Sequence, residues 1–295
     1  MFNFDEVIDR SKSSCEKWDK YKGQDVIPAW VADMDFKSPP CVIEALEQRV
    51  HEGVFGYTGV DDTTYDAIIS FLKRHYDWEI QKEWILFTHG VVSSMNLACL
   101  SVESKSVMTT TPIYPHFIKA PAYANKEILA IEMKEENHRW TLDFEAMEKA
   151  ITPECKLFML CNPYNPAGTV FTCKELETLS SFCLKHNLTI CSDEIHADLL
   201  LNPEAKHIPI ASLNEAIAQK SITLMAPSKT FNIAGLQASF AIIPNPKLRK
   251  HFQKTMGSMV GGVNLLGLCA LKAAYTDGDA WLKALRLYLA ENLKM

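Results

Sequence analysis

No run of about 18 consecutive apolar residues occurs in this chain, so nothing in it predicts a membrane-spanning helix. The opening stretch MFNFDEVIDR has neither the basic start nor the apolar centre of a secretory leader, which leaves a cytoplasmic protein as the expectation. A basic excess is missing too: 30 Lys and Arg stand against 36 Asp and Glu, net −6, with the lysines scattered. Nucleic acid and acidic membrane surfaces are therefore poor partners, and small molecules are the expected ligands. There is no CxxC pair. The nine cysteines are irregularly spaced, several inside apolar runs such as 157–161 and 189–191, and read as reduced core residues rather than disulfides or zinc ligands. Repeats and low-complexity segments are absent. What remains is an ordinary globular composition, 47% hydrophobic and 22% charged over 295 residues, enough for one large core or a large and a small domain.

Along the chain, residues 1–40 read as an extended arm ending at a helix start, Ser38-Pro39-Pro40. Asp33 and Asp35 in IPAWVADMDF invite comparison with a metal pair, but with no third ligand nearby a hydrogen-bonded turn is the stronger reading. Helical spacing marks 41–51 and 64–76, and the glycine-rich GVFGYTG between them predicts a loop carrying Tyr57. A short strand at 84–88 turns through His89-Gly90-Val91-Val92 into a helix. The free N–H groups of such a turn suit a phosphate, although any strand-to-helix turn has this form. The strand at 107–110 ends in Thr111-Pro112-Ile113-Tyr114-Pro115, where Tyr114 is either core or a stacking platform for a flat cofactor.

The strand at 157–160 runs into CNPYNPAGT, in which two Asn-Pro steps and a glycine make strong turn chemistry. After a helix at 174–185, the strand at 188–193 ends on Asp193-Glu194. Asp193 either caps a following helix or stands where open α/β sheets bind ligands. Strands at 222–226 and 239–243 flank Lys229, which follows Pro227 in a small-residue turn. It is either a loop lysine or a partly desolvated Schiff-base lysine. Strand and helix signals alternate from 84 to 243, which predicts an α/β fold with a mostly parallel sheet between helices.

In order, Gly90, Tyr114, Asn165, Asp193 and Lys229 all fall at strand ends, and this series resembles the fold-type I pyridoxal 5′-phosphate enzymes of the class I/II aminotransferase superfamily. More narrowly, AWVADMDF, GVFGYTG, CNPYNPAGT, SDEIHADL and APSKTFNIAGLQ resemble the MalY/PatB family of cystathionine β-lyases. The resemblance implies that Lys229 carries the cofactor and removes the substrate Cα proton, that Asp193 pairs with the pyridinium nitrogen, and that Asn165 bonds the phenolic oxygen. It also implies that Tyr114 stacks on the ring, that Gly90, Val91, Val92 and Ser228 belong to the phosphate side of the site, and that Tyr57 of the partner subunit reaches the phosphate in a homodimer. His196, where many aminotransferases have tyrosine, and Gln237, where many have arginine, fit the β-lyase branch, whereas Ala226 replaces a frequent phosphate-binding Ser or Thr.

By the same resemblance, residues 1–44 form an arm, 45–276 a cofactor domain, and 277–295 the start of a helix leading to a small domain left incomplete. The arginine for the substrate α-carboxylate has no match, and the stripe Trp281, Leu285, Tyr288 and Leu289 is expected to lack part of its packing surface. The implied activity is cleavage of cystathionine or a related cysteine S-conjugate. The alternatives are an aminotransferase, or a cofactor-binding protein with weak or no catalysis and a regulatory role.

Overall fold

The computed structural model describes residues 2–202, 204–257 and 260–295. The N-terminal arm is extended except for one helical turn, α1 (Glu16–Asp19), which the sequence does not announce. The turn closes on the Cys15 carbonyl, while Lys17 is drawn inward to the Asp33 carbonyl and the Asp35 carboxylate. Helix α2 (Pro40–His51) starts on a proline, whose missing N–H is one that no helix start can use. Asp61 caps α3 (Asp62–Tyr76) by accepting from the Thr64 N–H at 2.8 Å. Ala67, Ile68, Phe71 and Leu72 form its buried face, and the left-handed Asp77 ends it.

Strands and helices then alternate. β1 (Ile85–Thr88), α4 (Val91–Ser101), β2 (Ser106–Thr111), α5 (His116–Tyr123) and β3 (Glu127–Glu132) lead to a hairpin of β4 (Lys134–Glu136) and β5 (Arg139–Thr141). There follow α6 (Phe144–Ala150), β6 (Cys155–Cys161), α7 (Cys173–Lys185), β7 (Thr189–Asp193), α8 (Glu215–Ala218), β8 (Ser221–Met225) and β9 (Ser239–Ile242). Helices α9 (Pro246–Met256), α10 (Leu265–Asp277) and α11 (Asp279–Asn292) complete the described chain. A capping box fixes the start of α7: Thr172 accepts from Glu175 N, and the Glu175 carboxylate accepts from Thr172 N.

The described residues form a seven-stranded sheet in the order β1-β9-β8-β7-β6-β2-β3. Strands β3, β2, β6, β7 and β8 pair in parallel, and β9 is antiparallel to both β8 and β1. Strand β1 therefore runs the same way as β8, and the C-terminal ends of β1, β2, β6, β7 and β8 lie along one edge. That edge gathers the loops described below. Alternation along β9 shows the two covered faces: Phe240 and Ile242 pack with α3 and α10, while Ala241 and Ile243 pack with the α4 side. Helix α4 buries Met95, Leu97, Ala98 and Cys99, residues on nearly every side, because the sheet and α5 and α9 enclose it.

The stripe on α11 is covered only in part, with Tyr288 and Leu289 half-buried. Trp281 and Leu285 are buried, since Phe4 of the arm sits 5.6 Å from the Trp281 ring and 5.3 Å from Tyr288, with Phe36 at 5.6 Å from Tyr288. Tyr288 also donates to Asp5 at 2.7 Å. The arm supplies part of that surface: Phe4 and Phe36, 5.3 Å apart, pack together on the apolar face of α11. Leu287 and Leu293, off that stripe, are exposed.

Candidate functional site

Five loops meet at the C-terminal edge of the sheet, as the parallel strands require. The loop after β8 winds through Phe231 N to Pro227 O and Ile233 N to Ser228 O, and holds Lys229 half-buried. The Lys229 Nζ donates to the Ala32 carbonyl of the arm at 2.6 Å. Burial pushes this ammonium's pKa below the ordinary lysine value, against the opposing pull of Asp33 and Asp193. Lys229 is thus half-buried, bonded to one carbonyl and under the influence of two carboxylates.

Asp193 ends β7 one strand away, its backbone carbonyl accepting from Asn162 N at 3.0 Å. Its carboxylate is buried and accepts from the Ile195 N–H at 3.1 Å. Burial raises its pKa to about 7; the Ile195 N–H and Lys229 work the other way, and Glu194 adds to the rise. The helix-capping reading of Asp193 is overturned, because a tight turn follows it and the next helix, α8, starts only at Glu215.

Tyr114, after β2, joins this group through its backbone N–H, which donates to the Asn165 carbonyl at 3.2 Å. Its ring is half-buried, and its hydroxyl pKa is raised by burial and then by Asp193 and Glu16. Asn165 is braced beneath by Cys161, whose Sγ accepts from the Asn165 N–H at 3.4 Å. His196 is half-buried beside the lysine, its pKa lowered to about 4 by burial and by the Lys229 charge, so it is neutral at pH 7. At the end of β1, Gly90 has φ 86° and opens α4 without a side-chain cap, and among the described residues no side-chain acceptor bonds the N–H groups of Val91 and Val92. A Cβ built on Gly90 meets nothing within 4 Å, so open space lies above this helix start. Ser228 is half-buried in the lysine loop. Tyr57 is not brought in: residues 52–59 are all exposed, and Tyr57 is fully so.

Beneath the edge lies a polar layer that motif reading missed. Glu194 and His207 form a fully buried pair at 2.7 Å, and Glu194 also accepts from Ser192 Oγ and Ile210 N. Tyr76 donates to Asp198, whose other oxygen accepts from Thr230 at 2.7 Å, tying the lysine loop to the β7 turn. Glu194 and Asp198 stand in SDEIHADL, so their presence was visible; Tyr76 and His207 come from distant segments without any signal.

The arm residues Asp33 and Asp35 are ion-paired rather than metal-binding in arrangement. Arg10 bonds Asp33 at 3.0 Å and Asp35 at 2.9 Å, and Lys17 bonds Asp35 at 2.6 Å. Hydrogen bonds from Lys17, Trp18 and Arg10 outweigh burial and keep the Asp35 pKa below the ordinary carboxylate value.

A half-buried lysine, a buried carboxylate, an aromatic near it and a glycine-led helix start thus lie on one edge of a mostly parallel sheet, where open α/β folds bind ligands. The description "Aminotransferase class I and II" matches residues 27–295, and the chain belongs to that family. Within it, the chain is 38% identical to cystathionine beta-lyase PatB of Bacillus subtilis (strain 168), over 99% of this chain and 77% of the relative. The crystal structure of OvoB superposes with a TM-score of 0.96 at 46% identity, covering 99% of this chain and 77% of that one. Cystalysin from Treponema denticola, whose structure contains a pyridoxal 5′-phosphate cofactor, gives 0.92 at 35%, covering 97% and 75%. No described helix is long and apolar enough to cross a membrane.

Proposed function

We propose that this chain is a pyridoxal 5′-phosphate-dependent carbon–sulfur β-lyase that cleaves L-cystathionine or a related cysteine S-conjugate to thiol, pyruvate and ammonia. The observation that carries the reading is a buried Asp193 and a half-buried Lys229 placed at adjacent strand ends within reach of each other's charge, in a chain 38% identical to PatB. When bound, the cofactor supplies an electron-withdrawing ring that stabilises negative charge at the substrate Cα. The residues fit such a group: a carboxylate with a raised pKa gains a cationic neighbour in the ring nitrogen, and uncapped N–H groups gain a phosphate.

Lys229 would hold the cofactor through Nζ, and its free ε-amine, with its lowered pKa, would take the substrate Cα proton. The Cβ–S bond breaks with its electron pair on sulfur, which gains a proton and leaves as thiol, and one water is consumed as the remaining three-carbon fragment is hydrolysed to pyruvate and ammonia. Asp193 would keep the ring nitrogen protonated, Asn165 would bond the phenolic oxygen, and Tyr114 would stack on the ring. Gly90, Val91, Val92 and Ser228 line the phosphate side, and neutral His196 flanks the lysine. The exposure of 52–59 supports a homodimer in which Tyr57 of the partner subunit reaches the phosphate. Residues 1–44 act as an arm, 45–276 as the cofactor domain and 277–295 as the start of a further helical segment. The protein works in the cytoplasm on small molecules and binds no nucleic acid.

Pyruvate and free thiol are measured together after adding L-cystathionine to the chain with cofactor. Equal yields that vanish in Lys229→Ala support the reading. A product that appears only with an added 2-oxo acid, without thiol, refutes it.

A further inference from the structure

The cofactor reading assigns no task to the N-terminal arm, yet the arm makes the closest polar contact to the lysine. Residues 31–36 pass over the site as a strap fixed on two sides. On one side Arg10 spreads its guanidinium over Asp33 at 3.0 Å, the Met34 carbonyl at 3.1 Å and Asp35 at 2.9 Å, and Lys17 donates to the Asp33 carbonyl at 2.8 Å. On the other, Asn232 of the lysine loop donates to the carbonyls of Met34 at 3.1 Å and Phe36 at 2.6 Å. Between these clamps, the Ala32 carbonyl accepts from Lys229 Nζ at 2.6 Å.

We propose that Arg10 is a positioning residue for Lys229: its fork on Asp33, Met34 and Asp35 fixes the strap so that the Ala32 carbonyl receives the free ε-amine and the Asp33 charge is balanced beside it. The inference rests on the reading of Lys229 as the cofactor-bearing lysine. Its chemical sense is that an amine which must leave the cofactor and act as a base needs a fixed acceptor, and needs its neighbouring charges held in balance. The planar guanidinium reaches two carboxylates and a carbonyl at once, which a lysine's single ammonium does with less geometric control. The charged and titratable groups facing Lys229 are Asp33 from the strap and Asp193 and His196 from the β7 turn. Arg10 in turn neutralises Asp33, with Cys15 Sγ 3.9 Å from the same carboxylate.

The test titrates the Lys229 amine in the full chain stripped of cofactor. The rate of reductive methylation at Lys229 is followed by peptide mass spectrometry across about pH 6 to 10, the range bracketing lysine titration. Arg10→Gln leaves Asp33 unbalanced, so the reactivity midpoint moves to higher pH and the rate at neutral pH falls about three- to tenfold. Asp33→Asn leaves Arg10 unbalanced and moves the midpoint to lower pH. Arg10→Lys keeps the charge without the fork and brings the midpoint back only part of the way to wild type. A merely structural role for the arm predicts loosening in both variants and the same direction of change. Shifts in one direction for both, or in neither, overturn the proposal. Pyruvate release by the unaltered chain tests the lyase reading separately, because the titration requires no turnover.

Discussion

Asp193 and Glu194 are consecutive carboxylates at the end of one strand, yet they belong to opposite kinds of region. Glu194 points into the polar layer, where Ser192, Ile210 and His207 satisfy it. Asp193 points to the loop edge, where one backbone N–H is its hydrogen-bond partner and burial lifts its pKa to about 7. Within the layer the Glu194 carboxylate is fully partnered, although the His207 Nδ1 is buried without a partner, whereas at the edge the Asp193 carboxylate keeps one hydrogen bond and an elevated pKa that a cationic neighbour would relieve. The difference separates scaffold from site more cleanly than residue type does, since both regions are built from the same acids and hydroxyls.

Breaking this comparison at the edge has the largest expected effect. Lys229→Ala removes pyruvate release by at least about 10²- to 10⁴-fold, the loss typical of a missing proton-transfer group, while leaving the denaturant midpoint of the chain near its original value. Breaking the layer instead removes stability: His207→Ala strands the Glu194 charge and costs about 3–5 kcal/mol in urea unfolding. A loss below about 1 kcal/mol would mean that Glu194 is not the buried, paired acid described here.

Asp193→Asn sharpens the contrast through pH. The folded carboxyl binds its proton more tightly than the unfolded one, so the wild-type cofactor-free chain loses stability as pH rises from about 4 to about 7 and carries the full penalty above that. The asparagine variant escapes it, becoming more stable than wild type by roughly 2–4 kcal/mol at pH 8 and no different near pH 4. Urea melts at the two pH values check the sign, and added cofactor should stabilise only the wild type strongly. Thr230→Val removes one oxygen from the Asp198 bridge and costs a smaller amount, about 1–2 kcal/mol. The least effect on stability belongs to Tyr57→Ala, within about 0.5 kcal/mol, since the side chain is fully exposed. Weaker cofactor binding in that variant, measured by equilibrium dialysis, would support the shared site.

Legibility from the sequence followed local physics. Strands 157–160 and 222–226 are read correctly because a strand buried on both faces is a continuous apolar run, and β6 and β8 are such strands. Strand β3, EILAIE, buries only Ile131 well at the sheet edge and leaves no comparable mark. The hairpin β4–β5 and helices α5, α6, α9 and α10 likewise carry no decisive local signal. Turn chemistry marked Gly90, Asn165 and Lys229, since proline and glycine act on their own neighbours in sequence.

The sequence by itself determined six of the seven strands of the central sheet, all but β3, where their C-terminal loops fall, and hence that Tyr114, Asn165, Asp193 and Lys229 share one edge. It did so because period, proline and glycine are local properties. Only the tertiary structure decided that Phe4 and Phe36 cover α11, that His207 answers Glu194, and that Ala32 receives Lys229, contacts spanning up to 284 positions whose partners nothing local encodes. Burial and pairing are properties of the packed chain, and they are what turn an ordinary aspartate and lysine into a site.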